Sequence, residues 1–310
     1  MRIAVLGSPD GWYFRDLARA AAGRDEIVCA AFERLHARVA CEGPTGGASA
    51  ASDERVTAAG TNLRDFDALL VRTMAPGSLE QVVFRMDALA RLEAQGLPIV
   101  NPPKAIEAAV DKLLTSARLH AAGLPTPRTI ACQTADDALE AFAELGGDVV
   151  LKPVFGSEGR GIARLQDEAL AQRAFKLLEQ LRSLIYLQEF VPHEGSDLRL
   201  LVVGDDVLGI RRRNAADWRT NCSRGALAEP LVVTSELAEL ARRGASAVGA
   251  SVAGVDLLPA RDGRLLAIEV NAVPGWKALG RALEVDVAEL VLAHVRRLAA
   301  TSPERERSNG

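Results

Sequence analysis

Gly254-Val255-Asp256-Leu257-Leu258-Pro259-Ala260-Arg261-Asp262-Gly263-Arg264-Leu265-Leu266-Ala267-Ile268-Glu269-Val270-Asn271 is the stretch from which the C-terminal architecture can be read. Two apolar runs flank an Asp-Gly pair, the pair favoured at the centre of two-residue hairpins because both central residues need positive φ. The spacing predicts a hairpin turning at Asp262 and Gly263, and counting outward sets Asp256 directly opposite Glu269. Asn271 falls on the face of Glu269, two residues along, since strand side chains alternate. Two carboxylates opposed in a sheet repel unless something neutralises them. A bound cation is one answer: Asp256, Glu269 and Asn271 offer hard oxygens that suit Mg²⁺ or Mn²⁺. A polar sheet face with Lys or Arg nearby is the other, and on this stretch alone both readings stand.

Upstream, residues 198–203 and 207–210 bracket Gly204-Asp205-Asp206 and read as another hairpin, so antiparallel strands dominate the C-terminal half. Pro125 and Pro127 open a small α/β unit with a strand at 128–132, a helix at 135–145 and a strand at 149–154. Between them and the N-terminal part, Ile106, Val110, Leu113 and Ala117 form one apolar helical seam, with Lys112 off it. Residues 2–103 alternate short apolar runs (3–6, 27–32, 68–72, 99–100) with helical patterns (12–22, 79–95), which predicts a parallel α/β sheet. Gly7-Ser8-Pro9-Asp10-Gly11 follows the first strand without the G-x-G-x-x-G spacing, so a Rossmann-like topology without a bound dinucleotide is expected. Residues 41–60, rich in Gly, Ala, Ser and Thr, read as a weakly ordered excursion, and 301–310 as a disordered tail.

Composition narrows the function. The chain has 310 residues, 48% hydrophobic and 25% charged, enough for two domains of an ordinary globular protein. Lys plus Arg number 37 against 41 Asp plus Glu, so no basic field exists for nucleic acid or anionic membrane. Aromatic residues make up only 4%, too few for a stacking platform on single strands. Cys29, Cys41, Cys132 and Cys222 form no CxxC pair, which disfavours a zinc site or disulfide framework and points to reduced thiols in the cytoplasm. The N-terminal apolar run is too short for a signal peptide, and no apolar stretch is long enough to span a membrane.

A second constellation lies at Val149-Val150-Leu151-Lys152-Pro153-Val154-Phe155, where Lys152 shares a strand face with Val150 and Val154. A lysine on a half-buried strand needs an anionic partner. The loop that follows, Gly156-Ser157-Glu158-Gly159-Arg160-Gly161, can bring backbone N–H groups close to a phosphate, although such loops are also simple turns. It lacks the G-K-[ST] ending of a P-loop.

Lys112, Lys152-Pro153 with its glycine loop, the run Tyr186-Leu187-Gln188-Glu189-Phe190-Val191, and the Asp256, Glu269, Asn271 set together resemble the ATP-grasp ligases, in order and spacing, over roughly residues 100–280. Gly195-Ser196-Asp197-Leu198-Arg199, Arg213, Arg219-Thr220-Asn221 and Ser223-Arg224-Gly225 resemble the RimK branch, which includes L-glutamate ligases and LysX. The resemblance implies an ATP-grasp fold of mixed α/β class: an N-terminal Rossmann-like domain over 1–103, then an ATP-grasp domain over 104–300 that combines a small α/β lid at 125–190 with a C-terminal antiparallel sheet. It further implies that Lys112 and Lys152 contact ATP phosphates under the loop that carries Gly156, Ser157, Gly159 and Gly161. Gln188, Glu189, Phe190 and Val191 would form the adenine hinge, with Glu189 and Asp197 meeting the ribose or purine. Arg199 and Arg213 would join the nucleotide site, Arg219, Asn221 and Arg224 would act at the γ-phosphate, and Asp256, Glu269 and Asn271 would hold Mg²⁺.

Two departures are notable. Gly225 is followed by Ala226 rather than a second glycine, and Asn271 is followed by Ala272-Val273-Pro274-Gly275-Trp276-Lys277, closer to LysX-like and cofactor-tailoring relatives. Trp276 either fills the core or lines the acceptor pocket, with the pocket preferred. The expected reaction is ATP-dependent joining of an amino acid, L-glutamate first, to a carboxylate acceptor through an acylphosphate. The acceptor could be a small molecule, a cofactor or a protein tail, with Arg211, Arg212 and Arg213 a candidate basic entrance for the last. The rivals are a ligase of the carrier-protein lysine pathway, a cofactor-tailoring or D-alanine ligase, and a nucleotide-binding regulator without catalysis. Relatives of this kind commonly form homo-oligomers.

Overall fold

The computed structural model describes residues 1–39, 55–156, 160–222 and 225–301. They fall into two compact units: Met1–Lys104 together with the segment from Val285, and Ala105–Glu284.

In the first unit β1 (Arg2–Leu6) leads through α1 (Trp12–Ala21) to β2 (Glu26–Ala30). Ile3, Ala4, Val5 and Leu6 are all fully buried, as befits a parallel strand covered on both faces. The chain then forms β3 (Leu35–Arg38), β4 (Arg55–Ala58) and β5 (Thr61–Asn62), a small antiparallel sheet in the order β3-β4-β5. The expected weak order at 41–60 is thereby corrected for 55–60, while 41–54 lies outside the described residues. The reason is alternation: Val56 and Ala58 turn inward and are buried, a period-two signal masked by small polar neighbours. β6 (Ala68–Val71), α2 (Leu79–Ala94) and β7 (Ile99–Val100) complete a parallel sheet of order β2-β1-β6-β7, the expected Rossmann-like arrangement. A Ser78/Gln81 capping box starts α2.

The predicted continuous seam from Ile106 to Ala117 is interrupted. α3 (Pro103–Val110) stops before Asp111, whose carboxylate accepts from the N–H groups of Leu113 and Leu114 and caps α4 (Lys112–Ala121). Val110, Leu113 and Ala117 are exposed, and the buried positions are Ala105, Ile106, Ala108, Ala109, Thr115 and Leu119. An Asp offering two backbone bonds competes with helix continuation, so a new helix begins at Lys112.

β8 (Thr129–Cys132), α5 (Ala135–Glu144), β9 (Val149–Lys152), β10 (Ala163–Leu165), α6 (Glu168–Gln180) and β11 (Ile185–Glu189) build a four-stranded sheet of order β10-β9-β11-β8. Phe142, Leu145, Val149, Phe175, Ile185 and Leu187 share its core with inward faces of both helices. Next come β12 (Ser196–Val203), β13 (Asp206–Arg213), β14 (Leu227–Pro230), α7 (Ser235–Val248), β15 (Val252–Pro259), β16 (Leu265–Asn271) and α8 (Lys277–Leu283). Their strands make an antiparallel sheet, β14-β13-β12-β15-β16.

In the β15–β16 hairpin Asp256 does face Glu269, as expected, but by another route. The turn has three residues rather than two: the Ala260 N–H donates to Arg264 O at 2.8 Å, the Gly263 N–H to Ala260 O at 3.1 Å, and Gly263 has φ +89°. This is a turn closed by a left-handed glycine. Near it Leu257 faces Ala267, and a bulge at Ile268 restores the register that sets Asp256 against Glu269.

After α8 the chain returns to the first unit through α9 (Val287–Ala300), which packs with α1 and on β6. Asp286 accepts two hydrogen bonds from Arg19, Arg24 pairs with Glu289, and Asp25 receives both the N-terminal amine and Arg296. By compactness the segment from Val285 groups with residues 1–104.

Candidate active site

Six strands, the start of α4 and the loops between them in the second unit line a cavity of about 120 Å³. On one wall β9 and β11 are neighbours, and their register puts Lys152 across from Tyr186 and Val150 across from Gln188. Lys152 Nζ donates to Gln188 Oε1 at 2.5 Å, and Gln188 Nε2 donates on to Thr129 Oγ1 at 3.1 Å. Lys112 reaches the same wall because the Asp111 cap starts α4 there, and its Nζ donates to the carbonyls of Gly156 at 2.7 Å and Val154 at 3.4 Å. The lysine thus fixes the entrance to the glycine loop while keeping its charge at the cavity.

Glu269, from β16, lines the same cavity. Burial pushes Lys152 down to about 8, with Glu269 opposing that shift and Lys112 adding to it. Lys112 is lowered for the same first reason, and Glu269 and Asp111 oppose. Two partly desolvated ammonium groups facing one carboxylate leave the wall short of negative charge, which an anion would supply.

Asp256 answers its own charge differently. Arg199 Nη1 donates to both of its oxygens, at 2.8 and 2.9 Å, and Arg212 Nη2 lies 2.9 Å from Oδ2. Arg212 also grips Asp197, with Nε to Oδ1 at 2.7 Å, and Thr220 donates to the other Asp197 oxygen. Burial pushes Asp256 up, but the two guanidinium groups outweigh it and hold the carboxyl below its ordinary range. For Asp197 burial prevails over Arg212 and the shift is upward. Of the two ways to neutralise the opposed acids, arginine serves Asp256, whereas no guanidinium takes Glu269 among the described residues.

That difference bears on the metal. Glu269 and Asn271 supply hard oxygens; the Asn271 Oδ1 accepts from the Val273 N–H at 2.8 Å and retains a second lone pair. The donor chemistry fits Mg²⁺, and Asp256 Oδ1, which accepts only from Arg199, keeps a second lone pair as well. Among the described residues no group of three or more His, Cys, Asp or Glu forms a ready metal cluster, so phosphate oxygens and water would complete the shell.

The cavity brings together Lys112, Lys152, Gly156, Gln188, Glu189, Phe190, Val191, Asp197, Arg219, Asn221, Asp256 and Glu269 from the sequence-predicted set. Gly161, Arg199 and Asn271 stand just outside its lining. Ser157, Gly159 and Arg224 lie outside the described residues. Arg213 is corrected: it is exposed and pairs with Glu229 at 3.7 Å, while its neighbour Arg212 is buried at the cavity. Strand alternation separates them, so the triple arginine is not a basic entrance. Trp276 is also corrected, being 1% exposed in the core. Glu189 is tied to Arg128, through the backbone N–H at 3.1 Å and Nε at 2.8 Å. Arg219 is oriented by Asp217, whose oxygens accept from its Nε and Nη2 at 2.9 and 2.6 Å. Sequence reasoning missed Arg160, Arg212, His193 and Trp218 at the cavity; for Arg212, the alternation of a β13 already expected as a strand was the available signal.

Comparison with known proteins places this geometry. A family profile described as a RimK-like ATP-grasp domain matches residues 109–295. Tetrahydromethanopterin:alpha-L-glutamate ligase of Methanosarcina acetivorans is 36% identical over 268 residues, covering 76% of this chain and 82% of that protein. Alpha-aminoadipate–LysW ligase LysX of Saccharolobus solfataricus is 33% identical over 206 residues, or 65% of this chain and 75% of that one. Among solved structures, the ATP-grasp ligase PsnB complexed with minimal precursor, Mg and ADP superposes with a TM-score of 0.72 at 22% identity, over 96% of this chain and 97% of that chain. A RimK domain ATP-grasp protein from Sphaerobacter thermophilus gives 0.66 at 24%, over 95% and 99%. These two likenesses establish the ATP-grasp fold.

Proposed function

Because the chain belongs to the RimK-like ATP-grasp family, we propose that it is an ATP-dependent carboxylate–amine ligase that joins an amino acid, L-glutamate first, to a carboxylate-bearing acceptor and releases ADP and phosphate. The observation that carries this reading is the pair Lys112 and Lys152, set half-buried in one cavity where Glu269 is the lining carboxylate that acts on both.

Each residue has a definite task. The backbone of Gln188 to Val191 reads the adenine edge, and the two lysines hold the phosphates at the glycine loop. Glu269 and Asn271, joined by Asp256, hold Mg²⁺, which when bound draws negative charge from the phosphate oxygens. Asp217 keeps the Arg219 guanidinium pointed, and Arg219 and Asn221 meet the transferring phosphoryl group. An oxygen of the acceptor carboxylate attacks the γ-phosphorus, the bond to ADP breaks, and an acylphosphate forms. The neutral amine then attacks its carbonyl carbon, phosphate leaves with the bond electrons, and the amine loses a proton to give the amide. No protein nucleophile enters: positioning and electrostatics suffice.

The acceptor is a cofactor, a small amino-acid derivative or a protein terminus. The relatives named above act on a pterin cofactor and on LysW, so both kinds of acceptor occur among similar chains. A screen of amino acids against carboxylate acceptors by ADP release identifies the pair. With that pair, ¹⁸O in the acceptor carboxylate must appear in released phosphate; label retained wholly in the product would exclude the acylphosphate.

A further inference from the structure

The two acids expected at the ribose are both engaged elsewhere. Glu189 is taken by Arg128, and Asp197 by Arg212 and Thr220. On the connector from β11 to β12 the remaining polar side chains are His193 and Glu194. Glu194 is exposed and pairs with Arg261 at 2.6 Å. His193 lines the nucleotide cavity and also a neighbouring cleft bounded by Asn214, Asp217 and Trp218.

The imidazole has a defined state. Its Nδ1 is buried with no hydrogen-bond partner. A buried N–H left unmade is costly, so the neutral ring carries its proton on Nε2. A second proton is opposed by burial and then by Arg261 and Arg164, which outweigh the pull of Glu194. The ring is held in place as well: it contacts Phe190 at 6.0 Å, and Phe190 lies under the Arg164 guanidinium at 3.4 Å and against Trp218 at 5.8 Å. A neutral, oriented N–H donor suits a hydroxyl rather than a phosphate, which would select a cation. His193 follows the hinge residues by two, and with the base at Gln188–Val191 and the phosphates at Lys112 and Lys152 the sugar of the proposed nucleotide would lie between them.

We propose that His193 donates from Nε2 to a ribose hydroxyl and makes the site selective for ribonucleotides over deoxyribonucleotides. The inference rests on the cavity being the ATP site. Calorimetric binding of ATP, 2′-deoxyATP and 3′-deoxyATP to the full chain tests it. The wild type should bind ATP about 2- to 12-fold tighter than one of the deoxy analogues, the range for one neutral hydrogen bond. His193→Ala should lose that preference by weakening ATP alone, and His193→Gln, which keeps a donor, should restore part of it. Equal affinity of the wild type for all three, or an unchanged preference in His193→Ala, overturns the proposal while leaving the ATP site intact. Failure of the wild type to bind any nucleotide would instead defeat the parent reading, and this one with it.

Discussion

Lys152 carries opposite consequences for folding and for binding. Its folded pKa of about 8 lies below the ordinary 10.5, so between those values the unfolded chain binds the proton and the native chain does not. Stability contributed through this group therefore rises with pH across that window. The charge that meets phosphate is lost over the same rise. ADP affinity in wild type should accordingly fall as pH passes 8. Lys152→Met should weaken binding below pH 8 by about 1.5–3 kcal/mol, the value of a charged hydrogen bond, and flatten the profile. Superimposable pH profiles for the two proteins would remove Lys152 from the phosphate site. Glu269→Gln is the companion test: it keeps the side-chain shape, removes the charge offered to Mg²⁺, and should abolish ADP release without lowering Tm. Turnover at the wild-type level with unchanged Mg²⁺ dependence would defeat that role.

Among elements, Arg212 ties three adjacent strands: it stands on β13 and reaches Asp197 on β12 and Asp256 on β15. Its removal leaves two buried carboxylates short of a counter-charge, a loss of about 3–5 kcal/mol when one partner of a buried pair is deleted. Arg213→Met, one residue on and facing solvent beside Glu229, should change stability by no more than about 0.5 kcal/mol. Paired thermal melts of Arg212→Met and Arg213→Met decide this, and equal Tm losses would contradict the assignment of faces. The same elements show what a sequence can disclose. Alternation and turn residues sufficed to find β12, β13, β15 and β16, but the pairing of Asp256 with Glu269 expected from a two-residue turn is met only because a three-residue turn and a bulge offset each other. The turn glycine was visible, but the bulge at Ile268 was not, because a bulge is set by sheet twist and packing rather than by a local residue signal. Asp111 looked like one polar residue inside a helical seam; only the two N–H groups it accepts from reveal a cap and a second helix. The ion pairs of Asp256 and Asp197 were hidden because their arginines come from neighbouring strands.

For the whole molecule, the notable fact is that the chain closes its first unit with its last helix. The sequence marked α9 only as more of the second domain, since amphipathic periodicity says that a face is buried and not against what. Val287, Val291, Leu292 and Val295 are all buried. At about 1.5–3 kcal/mol for each such side chain, their burial amounts to about 6–12 kcal/mol, comparable to the whole stability of a typical domain. The Arg19–Asp286 pair adds orientation more than energy, because both side chains are largely exposed, whereas the Asp25 carboxylate is buried beneath Arg296. A chain ending at Glu284 should therefore lose the cooperative unfolding of the first unit, seen as a missing calorimetric transition and rapid proteolysis within 1–104. The cavity residues from Lys112 to Glu269 all belong to the second unit, so the same truncated chain should still bind ADP within a few-fold of wild type. An intact first transition after truncation would show that α9 is dispensable to that unit, and loss of ADP binding together with it would show that the second unit does not hold its site alone.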